Sequence, residues 1–97
     1  MPEAEHFEVA LRLVIHGRVQ GVAYRATTAD MARQLALDGW VRNRLDGTVE
    51  AVIHGPRPTV DQFLAWARKG PPQARVTRID SETCDPPEPG FEVLPTR

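Results

Sequence analysis

The segment of residues 17–25 carries the residue types in this sequence that are best suited to bind an anion. No Asp or Glu lies between residues 17 and 29, whereas Arg18 and Arg25 add positive charge. The apolar spacing that follows predicts a helix, and no Ser or Thr stands at its expected cap at residues 20–21. A helix start with free N–H groups, flexible glycines and arginines is unfavourable alone but complementary to an anion. The segment therefore suggests a phosphate site, in which Arg25 could donate two parallel hydrogen bonds.

Two interpretations of this segment remain open on the residues alone. It has neither the Gly-Lys-Ser/Thr run of a P-loop nor the glycine spacing of a dinucleotide fingerprint. An ordinary glycine-rich turn with solvated arginines is therefore the alternative to an anion site.

A second unusual residue is Asn43, which stands beside Val41 in a predicted strand. Asparagine is uncommon in strands, and the predicted hairpin turn lies further on, at residues 45–47. A functional carboxamide and a plain strand-end residue both fit this position.

Hydrophobic periodicity places these residues in the order strand, helix, strand, strand, helix, strand. In chain order the predicted elements span residues 8–16, 22–37, 40–44, 48–54, 59–70 and 74–80, with a possible short fifth strand at 91–94. This order is the split βαβ pattern (βαββαβ). We therefore expect an α+β sandwich in which two helices cover one face of an antiparallel sheet of four to five strands.

The ends of the two predicted helices carry different signals. Thr59 and Gln62 form a capping box, and Asp61 places negative charge near the positive end of the second helix. The first helix is expected to close at Asp38 and Gly39, where glycine suits a left-handed residue. Its start, unlike that of the second helix, lacks a capping side chain.

Composition restricts the possible classes of protein. The chain has 97 residues, a net charge of -1 and 41% hydrophobic residues, which predicts a single domain over residues 1–97. Cys84 is the single cysteine, so no internal disulfide can form. No apolar run is long enough for a membrane helix, and the acidic start at Glu3, Glu5 and Glu8 is unlike a signal peptide. We expect a cytoplasmic monomer that does not bind a membrane.

Metal and nucleic-acid binding are not indicated. His6, His16 and His54 lack ligand spacing, so structural roles are expected and no metal is predicted. An RNA-binding module of this topology would need aromatic residues on the first and third strands, and neither strand has any. The near-neutral charge also argues against a nucleic-acid partner.

Two stretches of the sequence carry a resemblance to a known family. Residues 17–25 (Gly-Arg-Val-Gln-Gly-Val-Ala-Tyr-Arg) resemble one signature of the acylphosphatase family. The family's other signature is similar to Gly39, Trp40, Val41, Arg42 and Asn43, followed by Gly47, Val49 and Gly55. The spacing between the two stretches, from Arg25 to Asn43, is also similar to that in the family, and the resemblance extends over about residues 11–79.

This resemblance implies a ferredoxin-like fold and hydrolysis of acyl phosphates to a carboxylate and inorganic phosphate, without a metal or other cofactor. Inorganic phosphate, as the product, is also an expected inhibitor. By the same resemblance, Arg25 binds the phosphoryl group and Asn43 orients the attacking water. The backbone amides expected to cradle the phosphoryl group belong to Gly17, Arg18, Val19, Gln20, Gly21 and Val22. A non-catalytic anion-sensing or RNA-binding module is the alternative.

Overall fold

The fold contains two helices and five strands. The structure, a computed structural model, describes residues 7–97, so the interpretations of Glu3, Glu5 and His6 lie outside it. The elements are β1 (Glu8–Arg18), α1 (Tyr24–Gln34), β2 (Asp38–Asn43), β3 (Val49–Pro56), α2 (Arg57–Ala67), β4 (Arg75–Thr83) and β5 (Phe91–Val93). The predicted element order is confirmed, and the boundaries differ by a few residues.

The strands form one sheet in the order β4-β1-β3-β2-β5. Strands β1 to β4 pair with one another only in antiparallel fashion, as the split βαβ pattern predicts. The predicted fifth strand is present, but it pairs in parallel with β2, so the sheet is mixed. Strand β4 ends at the same end of the sheet at which β2 begins, with β1 and β3 between them, and the Pro-rich segment of residues 85–90 carries the chain from one edge of the sheet to the other. Gly39 N–H donates to Gly90 O at 2.8 Å, which fixes where β5 begins.

The apolar core forms because side chains along β1 and β3 alternate between the two faces of the sheet. Leu13 lies opposite Ala51, and Ile15 lies opposite Val49, all of them facing the helices and almost fully buried. Side chains from both helices complete this core: Tyr24, Ala29 and Ala32 from α1, and Val60, Phe63 and Ala67 from α2. Burial of these side chains is the main force holding the helices to one face of the sheet.

The opposite face of the sheet carries a ladder of charges. Glu50 is only 4% exposed, and its carboxylate accepts hydrogen bonds of 2.7 Å from both Arg12 and Arg42. Burial raises the pKa of this carboxyl group, but the hydrogen bonds from Arg42 and Arg12 outweigh it and hold the pKa below its usual value. The buried charge is therefore compensated by two arginines from the neighbouring strands.

The C-terminal end of α1 differs from the prediction. The helix ends at Gln34, and Ala36, with φ 57°, takes the left-handed position expected for a glycine. Asp38 and Gly39 instead begin β2. Gly39 is required there because a Cβ would collide with the carbonyl oxygen of Val52.

The start of α2 was also predicted wrongly. The helix begins at Arg57, Pro56 is its cap residue, and no side chain caps it. Thr59 is the third helical residue, so the expected capping box does not form. Pro58 explains the earlier start, because proline fits the first turn, where it withholds no hydrogen bond from the helix.

Neither helix of residues 7–97 has the length and apolar character needed to cross a membrane.

Candidate active site

The loop after β1 is positioned by a distortion of the sheet. The register of β1 with β4 shifts between His16 and Gly17. Gly17 has φ 121°, and a Cβ at this residue would collide with the carbonyl oxygen of Arg75. Val19 and Val22 are 1% and 6% exposed and fix the loop to the core. The backbone between these two valines is thereby held at the molecular surface.

The first turn of α1 presents a group of free N–H donors. Ala23 is the cap residue in a left-handed conformation, φ 66° and ψ 18°, and no side chain caps the helix. The N–H of Thr27 donates to Ala23 O at 3.0 Å. The N–H groups of residues 21–23 donate to no backbone carbonyl in the described part of the chain, and those of residues 24–26, in the first turn, have no acceptor within the helix. Arg25, half-buried, is the second residue of the helix. Free amides, a helix N-terminus and a guanidinium together suit an anion.

Asn43 is the last residue of β2, and it reaches the same pocket. Its Oδ1 atom is buried and accepts no hydrogen bond from residues 7–97. The pocket has a volume of about 180 Å³ and is lined by residues 19–21 and 23–26 together with Asn43. A buried acceptor without a partner in the protein is uncommon, and in a pocket it can bind a polar ligand atom or water.

The structure brings most of the predicted site residues together. Arg25, Asn43, Val19, Gln20 and Gly21 line the pocket, whereas Gly17 and Arg18 end β1 and Val22 packs into the core.

The prediction missed Ala23 and Ala26 as lining residues, and no signal in their residue types marks them. Tyr24, predicted to be a core aromatic, is 1% exposed and also contributes to the pocket wall. Its hydroxyl donates to Ala67 O at 2.7 Å, and burial raises its pKa, so the phenol is neutral at physiological pH.

Three larger clefts are less suited to phosphate. In a cleft of about 340 Å³ lined by Arg42 and residues 94–97, the Arg42 guanidinium is already paired with Glu50 at 2.7 Å. A cleft of about 420 Å³ beside Trp40 is lined by Glu88 and Glu92, whose charge repels anions. A cleft of about 300 Å³ between α2 and β4 includes Arg68 and Arg78. Arg68 follows the C-terminal end of α2, where the helix dipole is negative, and Arg78 is paired with Asp80 at 3.0 Å.

The histidines within residues 7–97 pair with carboxylates. His16 lies 3.0 Å from Asp80, and His54 lies 3.2 Å from Glu8 and 3.4 Å from Asp38. Among residues 7–97, no group of three or more His, Cys, Asp or Glu side chains is arranged to hold a metal ion.

Similarity to known proteins covers nearly the whole chain. The sequence model of the Acylphosphatase family matches residues 11–93. Over 97 residues the chain is 50% identical to an acylphosphatase of Azoarcus sp. (strain BH72), with 99% of each chain covered. The chain belongs to the acylphosphatase family.

Further similarities agree with this assignment. An acylphosphatase of Cupriavidus necator is 53% identical over 85 residues, which cover 88% of this chain and 92% of the relative. The structure of an acylphosphatase from Coxiella burnetii superposes with a TM-score of 0.85 at 34% identity, covering 90% of this chain and 93% of that one. The predicted resemblance, the ferredoxin-like fold and the enzyme class are thus confirmed. The non-catalytic alternatives are not favoured.

Proposed function

We propose that this acylphosphatase cleaves its substrate in the pocket between the start of α1 and the end of β2. Arg25 and the backbone N–H groups of residues 17–22 bind the phosphoryl oxygens, and the free N–H groups of α1 extend this cradle to Ala26. Asn43 orients the attacking water. The supporting observation is that one pocket is lined both by an anion-complementary helix start and by Asn43, whose Oδ1 is buried and unpartnered in the described residues.

The proposed mechanism fits the leaving group. An acyl phosphate releases a carboxylate whose conjugate acid has a pKa of about 4, so its departure needs no protonation by a general acid. Tyr24, the pocket residue with an ionisable hydroxyl, donates that proton to Ala67 O and is not available. Positioning and charge stabilisation are therefore sufficient for catalysis.

Proton transfer in this scheme involves substrate and not a protein base. Asn43 Oδ1 accepts one hydrogen bond from water and directs its oxygen at phosphorus. As the P–O bond to the new oxygen forms, the bond to the acyl oxygen breaks and its electron pair leaves with the carboxylate. A phosphoryl oxygen takes the water proton, because the carboxamide of Asn43 has no titratable group.

The reaction as proposed uses an acyl phosphate as substrate, yields inorganic phosphate as product and competitive inhibitor, and needs neither a metal nor a nucleic-acid partner. We propose a cytoplasmic monomer. The large hydrophobic residues exposed in residues 7–97, Phe7, Leu45 and Val93, are isolated ones from three different segments.

Hydrolysis of benzoyl phosphate beside p-nitrophenyl phosphate, both in excess EDTA, tests the proposal. We expect turnover of the acyl phosphate alone, since the monoester has a poorer leaving group. Inorganic phosphate at about 100 times its dissociation constant should stabilise the fold by about 2.7 kcal/mol, which raises Tm by about 10–20 °C. Equal cleavage of both substrates, loss of activity in EDTA, or a Tm unchanged by phosphate contradicts the proposal.

A further inference from the structure

The loop after β1 is joined to the β2–β3 hairpin through the side chain of Gln20. Its Nε2 donates one hydrogen bond of 2.8 Å to Arg44 O and a second of 2.8 Å to Thr48 O. Both donors of the carboxamide are thus used. Within residues 7–97, no other side chain of residues 17–22 is hydrogen-bonded to this hairpin.

The two acceptors of Gln20 lie at the base of the hairpin, next to Asn43. Arg44 follows Asn43 directly, and Arg44 N–H donates to Thr48 O at 2.9 Å, which closes the hairpin. Asn43 is paired with Val49, the residue after Thr48. The carboxamide of Gln20 therefore binds the backbone on both sides of the turn, one residue away from Asn43 and one residue away from its partner.

The other side of the hairpin is held by the end of the chain. Arg97 N–H donates to Asn43 O at 3.0 Å, and Leu45 N–H donates to Arg97 O at 3.1 Å. These bonds continue the parallel pairing of β5 with β2. They fix the hairpin against its own sheet, but they do not fix it relative to the loop of residues 17–22.

We propose that Gln20 is a positioning residue, whose carboxamide sets the distance and angle between the loop of residues 17–22 and the Oδ1 of Asn43. This inference rests on the proposed function of the same pocket. Arg25 and Asn43 come from different elements, so the water and the phosphoryl group are aligned only if those elements keep a fixed relation. A misplacement of about 1 Å can lower the rate of an enzymatic step by about 100-fold.

Gln20→Met tests this role, because it keeps the length and volume of the side chain and removes both donors without adding charge. Gln62→Met is the matched control, since Gln62 is an exposed residue of α2 without a side-chain hydrogen bond in the described residues. We expect kcat for benzoyl phosphate to fall about 10–100-fold in Gln20→Met, while the inhibition constant of phosphate changes by less than about 3-fold. Gln62→Met should match the wild type in both values.

A double variant distinguishes action through Asn43 from general weakening of the loop. In the Asn43→Ala background, adding Gln20→Met should change kcat by less than about 3-fold, because the residue being positioned is already absent. A further loss of 10-fold or more in the double variant overturns the proposal. So does a wild-type kcat in Gln20→Met, or a loss of phosphate affinity as large as the loss of kcat.

A measurement that does not need enzymatic activity tests the positioning role of Gln20 separately from the proposed function. Asn43 is the only asparagine in the sequence, so selective ¹⁵N labelling of asparagine side chains gives one carboxamide signal pair. This pair should shift in Gln20→Met and stay in place in Gln62→Met. If wild-type protein does not hydrolyse benzoyl phosphate, the proposed function fails, but an unmoved Asn43 signal is what refutes the positioning role.

Discussion

Replacing Ala23 by glycine is expected to stabilise the protein. Ala23 has φ 66° and ψ 18°, and its side chain is exposed, so removal of the methyl group loses no packing. A left-handed residue that carries a Cβ costs about 1–2 kcal/mol, and the extra freedom of glycine in the unfolded chain offsets about 0.4–1 kcal/mol of the gain. The free energy of unfolding should rise by about 0.5–1 kcal/mol, which corresponds to an increase in Tm of about 2–8 °C.

Ala36 supplies a matched control away from the pocket. It has φ 57°, is exposed, and stands just after α1, where Leu37 N–H donates to Ala32 O at 2.9 Å. Ala36→Gly removes the same left-handed strain and should raise Tm by a similar amount. Thermal unfolding followed by circular dichroism compares the two variants, in phosphate-free buffer because a bound anion raises Tm by itself.

A raised Tm in Ala36→Gly with an unchanged or lowered Tm in Ala23→Gly refutes the left-handed turn at Ala23. The orientation of the free N–H groups of residues 21–26 would then be wrong as well, because that turn presents them to the pocket. Ala23→Val tests the same conformation in the opposite direction. A β-branched residue is strongly disfavoured at positive φ, so its Tm should be lower than that of the wild type.

Three other changes have expected outcomes. Asn43→Ala should lower kcat by about 100-fold or more with a nearly unchanged inhibition constant for phosphate. Asn43→Asp should be inactive and bind phosphate more weakly, because its charge repels the anion. Normal kcat in both variants contradicts the role of Asn43 in orienting water. Arg25→Gln should lower kcat/KM by about 10²–10⁴. Arg25→Lys should also have a low kcat/KM, because an ammonium cannot donate the two parallel hydrogen bonds of a guanidinium. Wild-type turnover in Arg25→Gln excludes the arginine from the site. Glu50→Gln leaves Arg12 and Arg42 without their carboxylate and should cost about 2 kcal/mol, or about 10 °C in Tm. Since the pKa of Glu50 in the folded protein is below its ordinary value of 4.5, its contribution to stability is present above pH 4.5 and is lost as the pH falls further. Urea unfolding between pH 3 and 6 should therefore be less pH-dependent in Glu50→Gln.

The order of the elements could be predicted because each one has its own local pattern. Strand β1 alternates apolar and polar residues, and the Asp46-Gly47 turn separates β2 from β3 in the sequence itself. The direction of β5 could not be predicted in this way. A three-residue strand has almost no periodicity, and its pairing with β2 depends on where the Pro-rich segment leads the chain and on the bond between Gly39 and Gly90.

The site was predictable only as a set of residues. Arg25 and Asn43 stand out because their types are unusual for a helix start and a strand, and the acylphosphatase resemblance gave them roles. Three features of the site arise from tertiary contacts, so no local sequence pattern predicts them. They are the left-handed backbone of Ala23, the burial of Asn43 Oδ1 and the two hydrogen bonds of Gln20. Those are the features that turn the set of residues into a pocket with a defined geometry.

A missing side-chain cap is not in itself a sign of an anion site, because α2 has no side-chain cap either. The two helix starts differ in what happens to their N–H groups. In α2 the N–H of Arg57 donates to Phe7 O at 2.7 Å, and Pro58 has no N–H, so part of the first turn needs no acceptor. In α1 no proline is present, the N–H groups of residues 21–23 donate to no backbone carbonyl in the described chain, and those of residues 24–26 have no acceptor within the helix. The free donors, and not the absent cap, are therefore the property that makes the start of α1 complementary to a phosphoryl group.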